Sequence, residues 1–432
     1  MDDDSQTTHP FPETQMQRNP IIIAIAIASG LVHTLSAAPV DTGDIIAANH
    51  PTESPAQEAS SVSPTMSRDL AALQAAIIEQ GLSGSNVMLV VKDGKVVHRH
   101  VENSGRKGDR DIETDTLFPI WSMSKPITIA AMLALHEDGR FDWNDPVSDY
   151  LPCFAELTVR DGDTIRPART PLRIVDLMTH RAGWTYYSLG QGAPPTVDQP
   201  QPDQTRFRDL QEFCETAAAY PLESDPGSAY VYGINQAILG RLVEVLSGKP
   251  FATFLQERIF EPLGMRETSF VLDEERRSRL QPLYINRGTL RGYTEILDEL
   301  NYAPESRAHF GGEGLVSSLD DYARFAEMLL GRGEFRGTRV LSEASIDRMV
   351  EVTTEDFAGE IWPGLDMGFS VFVVSEDGAD GHGTPAGTFG WFGYHSTHFW
   401  IDPTNDLFAV YLSRSREFDM PLPGRIRAVV YD

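Results

Sequence analysis

The chain has 432 residues, 41% of them hydrophobic, enough for one sizeable core or two intimate subdomains. Its 63 acidic side chains against 36 basic ones leave a formal net charge of −27. That balance argues against nucleic acid or an anionic membrane as a partner, and it says nothing about the reaction.

The first 66 residues do not read as part of the fold. Ile21–Val32 is an apolar run flanked by Arg18 and by Leu35-Ser36-Ala37-Ala38. It is too short for a bilayer core, which takes roughly twenty residues, and matches the apolar region of a secretory signal. The acidic Met1–Asp4 start and Pro39 are atypical, so initiation at Met16 and an uncleaved anchor stay open. Residues 1–38 are therefore expected to be a signal peptide or anchor. Export to the periplasm or the extracellular space follows, with no stable membrane insertion after processing. Residues 39–66, rich in Pro, Ser, Thr, Ala and Glu, read as a disordered linker.

The folded part is expected over 67–432. Ser67–Gln80 has Leu70, Leu73 and Ile77 at helical spacing, Ser67 as a cap and Gly81 as a stop. Asn86–Val101 is a strand pair turned at Asp93-Gly94. An apolar helix then runs from Ser122 to near Gly139. Helices are expected again at Ile234–Leu246 and Phe251–Phe260, with a surface loop at Gly190–Asp203. Leu319–Leu330 is amphipathic, and the tail returns to strands at Met367–Val374, Thr388–Gly393, His398–Asp402 and Leu407–Ser413. The expected fold is α/β in the α+β sense: an antiparallel sheet built from both chain ends (67–142 and 309–432), flanked by helices. A mostly helical lobe (143–308) lies beside it, with a site in the cleft between them.

Three stretches carry chemistry. In Ser122-Met123-Ser124-Lys125, helical spacing puts a hydroxyl and an amine on one face, one turn apart. Serine is a weak nucleophile until a neighbour takes its proton, a task suited to an amine held in an apolar wall. Ser104-Gly105-Arg106-Lys107 has the same form but lies in a polar loop, where it is a coincidence of composition. Tyr232, just before the Ile234–Leu246 helix, is the second piece, because a lysine–tyrosine pair can relay the serine proton and return it to the leaving group. The third is Trp391-Phe392-Gly393-Tyr394 on a late strand. Gly393 would let a substrate press on the backbone, and a peptide N–H there, with that of Ser122, would hold a developing oxyanion.

These stretches resemble the serine beta-lactamase-like superfamily: penicillin-binding DD-peptidases, class C beta-lactamases and family VIII carboxylesterases. Ser-x-x-Lys is a signature of that group. Further matching stretches are Asp145–Pro152, Asp176–Gly183, Pro226–Tyr232, Gly311-Gly312-Glu313-Gly314 through Ser318, and Trp391-Phe392-Gly393, spread over roughly Leu70 to Ser413. The resemblance implies Ser122 as acylated nucleophile, Lys125 and Tyr232 as proton-transfer partners, and the backbone N–H groups of Ser122 and Tyr394 as oxyanion donors. No cofactor and no metal are expected.

Two departures point within the superfamily. Class C lactamases carry Tyr-x-Asn, but the third position here is Ile234, with Asn235 one place late. Lactamases and peptidases carry Lys-Thr-Gly where this chain has Trp391-Phe392-Gly393, a form similar to the esterase branch. A neutral aromatic floor suits an ester better than a carboxylate-bearing lactam, whose desolvation no fixed cation would offset. The expected activity is hydrolysis of short acyl or aryl esters, with a small-molecule ester as the partner. Beta-lactamase, DD-peptidase, acyltransferase or amide hydrolase activity are the alternatives, and a non-catalytic cell-wall scaffold is a further one. Trp184, Tyr186, Tyr187 and Trp362 are candidates to widen the aromatic wall. A metal enzyme is disfavoured: His395 and His398 are three apart in a strand region and face opposite sides. Cys153 and Cys214 permit one disulfide or two separate thiols. The oligomeric state is not legible.

Overall fold

The first hairpin turns where the sequence places it, with Asp93 and Gly94 at φ 50° and 68°. It joins β1 (Asn86–Lys92) to β2 (Lys95–Glu102). The computed structural model describes residues 64–186, 207–286, 292–294, 302, 305–355, 362–416 and 418–432. The amino-terminal apolar run, the linker and the Gly190–Asp203 loop lie outside the described residues.

Five strands from the carboxy-terminal part complete the main sheet: β3 (Leu365–Met367), β4 (Phe372–Val374), β5 (Phe389–Gly393), β6 (Thr397–Asp402) and β7 (Leu407–Ser413). The order is β3-β4-β5-β6-β7-β1-β2, antiparallel throughout. Both chain ends thus share one sheet, joined where Asn86 pairs with Ser413. Every residue of β7 is buried, as its central place requires, whereas the edge strand β2 presents Lys95 and Arg99 to solvent.

The structure corrects two of the expected elements. Met367–Val374 is not one strand. Gly368 packs so closely on the Met349 carbonyl that a Cβ would lie 2.4 Å from it, and Ser370 takes φ 55°. The chain therefore folds back, and Met367 pairs with Phe372. The first helix, α1 (Pro64–Glu79), starts ahead of Ser67, whose hydroxyl hydrogen-bonds His98 Nδ1 (2.9 Å) instead of capping.

The helix after the nucleophile motif, α2 (Ser124–Glu137), is buried from Ser124 through Leu135. A helix apolar all round belongs inside a core. Ile127, Met132 and Leu133 are fully buried, each contributing on the order of 2 kcal/mol. α2 packs against α3 (Asn235–Ser247), and α4 (Leu319–Leu330) lies on β6 and β7. α3 ends at Gly248, which adopts φ 71°. The helix from Phe251 becomes a π turn over Gln256–Phe260 before ending at Leu263. Carboxy-terminal helix α5 (Leu422–Tyr431) is tied to the sheet end by a buried ion pair, Arg427 Nε to Asp380 Oδ2 at 2.9 Å.

Candidate active site

Ser122 does not sit on α2 itself. It occupies a 3-10 turn, Trp121–Met123, from which α2 continues. The turn is entered through Trp121 at φ 48°, a conformation that strains a bulky residue by about 1 kcal/mol or more. Packing holds it there. The Trp121 indole donates to His395 Nδ1 (2.8 Å), and its ring meets Tyr394 edge-on at 5.2 Å.

The end of β5 is clamped to the same turn. A Cβ on Gly393 would lie 2.4 Å from the Ile120 carbonyl oxygen and 2.1 Å from Thr397 Oγ1. The glycine is therefore needed for the strand to reach the turn beneath Ser122, which corrects the expectation that it makes room for substrate. The peptide groups of Ser122 and Tyr394 thus belong to two segments held hard against each other.

The three sequence-predicted side chains converge. Lys125 Nζ donates to Ser122 Oγ at 2.9 Å, and the Tyr232 hydroxyl donates to the same oxygen at 2.7 Å. Lys125 Nζ also lies 4.7 Å from the centre of the Tyr232 ring. Tyr232 is fixed by its neighbour: the Val231 N–H donates to the His180 carbonyl (2.6 Å), and the His180 ring packs on the phenol at 4.8 Å.

Lys125 is fully buried and makes two further bonds that spacing did not disclose, to Tyr186 OH (2.7 Å) and to the Gly312 carbonyl (2.8 Å). The Gly311–Leu315 segment wraps the start of α2. Thr128 Oγ1 donates to the Gly311 carbonyl (2.7 Å), the Leu315 N–H donates to Ser124 Oγ (3.2 Å), and the Ile120 N–H donates to the Leu315 carbonyl (3.0 Å). A Cβ on Gly311 would lie 2.6 Å from both Thr128 Oγ1 and the Gln236 carbonyl oxygen. That close approach brings Glu313 behind Tyr186, whose hydroxyl donates to Glu313 Oε2 at 3.4 Å. Burial first, then the Glu313 charge, pushes the Tyr186 phenol well above its ordinary value. Burial raises the Glu313 carboxyl above its ordinary value, and Lys125 and the Tyr186 hydrogen bond offset only part of that rise. Tyr186 was foreseen only as wall, and Glu313 had no role. The weak signal was an acidic residue set among glycines.

Trp391 is buried with its ring 5.9 Å from that of Tyr232, and Tyr394 is half-buried beside Trp121. Among the other aromatics, Trp184 lies in the core against Phe154 (5.5 Å). Trp362 stacks on Phe392 (4.8 Å), the β5 residue of opposite face to Trp391. Tyr187 lies outside the described residues. Asn235 is turned away: fully buried at the start of α3, its amide meets His180 Nδ1 at 2.8 Å, while the Gln236 amide meets Nε2 at 3.1 Å. Burial, then Lys125, holds His180 neutral, so one of the two amides presents its oxygen to the single ring N–H.

The second Ser-x-x-Lys copy stays in its loop, with Ser104 hydrogen-bonded to Asp109 and to Tyr293 OH, and Lys107 exposed. His398 packs between Trp400 and Tyr411, apart from His395 in its bond to Trp121. Among the described residues no group of three or more His, Cys, Asp or Glu side chains could hold a metal ion. Cys153 is exposed and Cys214 buried, and both are free thiols.

Comparison with known proteins accords with this geometry. Residues 70–431 match the profile of the family described as Beta-lactamase. Esterase EstB of Burkholderia gladioli is 30% identical over 404 residues, 86% of this chain and 99% of the esterase. Protein Rv1367c of Mycobacterium tuberculosis is 32% identical over 327 residues, 71% of this chain and 80% of that protein. The structure of EstCE1, described as a hydrolase with promiscuous acyltransferase activity, is similar in fold. It has a TM-score of 0.72 at 22% identity, over 85% of this chain and 99% of that one. The chain belongs to the beta-lactamase family, the serine hydrolases of this fold.

Proposed function

We propose that the protein is a serine carboxylesterase that cleaves short acyl or aryl esters through an acyl-enzyme on Ser122. The observation that carries this reading is the double hydrogen bond to Ser122 Oγ, from Lys125 Nζ at 2.9 Å and the Tyr232 hydroxyl at 2.7 Å. In the reactive form Ser122 donates to a Tyr232 oxygen that has given up its own proton. Ser122 Oγ attacks the ester carbonyl, its proton passes to Tyr232, and Tyr232 returns it to the departing alcohol as that C–O bond breaks. Water, deprotonated by Tyr232, then attacks the acyl carbonyl, and Tyr232 returns that proton to Ser122 Oγ as the acyl–oxygen bond breaks and the acid leaves. The three acceptors around Lys125 Nζ use all three N–H bonds of an ammonium, so the lysine serves as the adjacent positive charge.

The N–H groups of Ser122 and Tyr394 are the proposed oxyanion donors, each worth about 3 kcal/mol in the transition state. The preference for esters over beta-lactams rests on two residues. Trp391 stands where lactamases present a lysine, and Asn235 is spent on His180. The 30% identity with an esterase over most of both chains supports the same preference.

The test is one preparation assayed on para-nitrophenyl esters of increasing chain length, nitrocefin and D-Ala-D-Ala peptides. Ester turnover that dominates and disappears in Ser122→Ala supports the reading. Nitrocefin or peptide turnover matching that of the esters would replace it with the lactamase or peptidase alternative.

A further inference from the structure

Glu313 has no place in the proton path above, yet the fold brings it to the back of the site. Lys125 is fully buried, and its three hydrogen-bond acceptors, Ser122 Oγ, Tyr186 OH and the Gly312 carbonyl, are all uncharged groups. While Tyr232 keeps its proton and donates to Ser122, a buried ammonium here without another nearby anion reverts to the amine. The carboxylate that its hydrogen-bond chain reaches is Glu313, through one phenol: Lys125 Nζ to Tyr186 OH is 2.7 Å, and Tyr186 OH to Glu313 Oε2 is 3.4 Å. Two backbone features fix this relay. Gly311 is wedged between Thr128 and Gln236, and the Glu313 N–H donates to the Phe310 carbonyl at 3.3 Å.

We propose that Glu313, acting through the Tyr186 hydroxyl, is the counter-charge that keeps Lys125 an ammonium, leaving Tyr232 as the proton carrier. This rests on the reading of Ser122 as the nucleophile, but it makes a separate claim about Lys125. Glu313 and Tyr186 are positioning residues in this account. Among the described residues, the titratable groups facing Lys125 are Tyr186, Tyr232, Glu313 and, behind the phenols, His180. Burial keeps Tyr186 protonated, so it transmits polarisation and carries no charge of its own. His180 stays neutral and so adds no second positive charge beside Lys125.

The experiment is an NMR titration of lysine side chains labelled at Cε and Nζ, in the full chain, for wild type, Glu313→Gln and Tyr186→Phe. Lys92, Lys95, Lys107 and Lys249 provide the reference signals. Glutamine keeps the shape and removes the charge, so Lys125 should lose its proton at a pH lower by about one unit. Tyr186→Phe should shift it the same way, and the double variant should shift it little further, because both changes cut one chain. The alkaline limb of kcat/KM for a para-nitrophenyl ester should move down by the same interval, with KM within about twofold.

An unmoved Lys125 titration in folded Glu313→Gln, or a fall in rate uniform across pH, overturns the proposal. If Glu313→Gln does not fold, Tyr186→Phe decides it by the same readouts. Absence of Ser122-dependent ester turnover in wild type would instead remove the esterase reading, and the lysine titration would still decide the role of Glu313.

Discussion

Tyr232 donates a 2.7 Å hydrogen bond to Ser122 Oγ from 110 residues further along the chain. No local propensity brings those groups together. The contact exists because α3 packs on α2 and the residue before Tyr232 is pinned to the His180 carbonyl. Tyr232→Phe keeps the ring and its packing on His180 while removing the proposed proton carrier. It is expected to lower kcat by about 10²–10⁴-fold with KM nearly unchanged and the melting temperature within a few degrees. Steady-state kinetics on a para-nitrophenyl ester, with thermal unfolding in parallel, check this. Wild-type kcat in that variant would leave Tyr232 without a role.

Gly393→Ala tests whether β5 and the nucleophile turn are one unit. The new Cβ would press on the Ile120 carbonyl and on Thr397 Oγ1, so the strand must withdraw from the turn. Overpacking of this kind costs about 1–3 kcal/mol. Because Tyr394 moves with the strand, kcat should fall by at least about tenfold more than the stability loss alone would cause, as seen at a temperature where the variant is fully folded. A destabilised variant with unchanged kcat would separate β5 from the oxyanion site.

Stability should decline on mild acidification. Burial pushes His98 and His309 down to about 4 and His398 to about 3, with weaker help from His100, Arg307 and Arg427 respectively. Each stays neutral in the folded protein while its unfolded counterpart, near ~6.5, takes up a proton. The unfolded state thus binds more protons from about pH 6.5 down to the folded values, and stability falls across that interval as pH drops. For His398 alone the loss at pH 5.5 is about 1 kcal/mol. Denaturant unfolding between pH 7.5 and 5, repeated on His398→Gln, should show a shallower slope in the variant. Equal slopes would contradict the assignment.

Much of this arrangement is legible in the sequence. Asp93-Gly94 fixes the hairpin, and the apolar run after Ser122 gives α2. Motif spacing marks Ser122 and Lys125 in advance, and resemblance adds Tyr232, although packing is what brings the third group to the other two. What escaped depends on contacts made only in the folded chain. The split of Met367–Val374 turns on Gly368 lying against Met349, a neighbour that periodicity cannot see. Tyr186 reaches Lys125 across 61 residues, and nothing in Trp184-Thr185-Tyr186-Tyr187 marks which ring faces the amine. Glu313 looked like one polar residue in a glycine turn, because its partner is a phenol and not a cation in sequence reach. At Gly393 the missing side chain shows only that something comes close, and the structure shows that it is the Ile120 carbonyl and Thr397.

The buried pair Arg427–Asp380 offers a test of the carboxy-terminal clasp, independent of the chemistry. Both side chains are about 2% exposed and 2.9 Å apart. Arg427→Leu leaves the Asp380 carboxylate buried with Thr384 as its remaining side-chain partner, and should cost about 3–5 kcal/mol by denaturant unfolding. A loss below about 1 kcal/mol would show that α5 is held by its apolar face alone.

The most direct measurement is mass spectrometry of the intact protein, quenched within milliseconds of mixing with a para-nitrophenyl ester, then peptide mapping. The account predicts a mass increase equal to the acyl group, located on Ser122, that decays as product acid appears and is absent in Ser122→Ala. Turnover with no adduct on Ser122, or with the adduct on another residue, would contradict it.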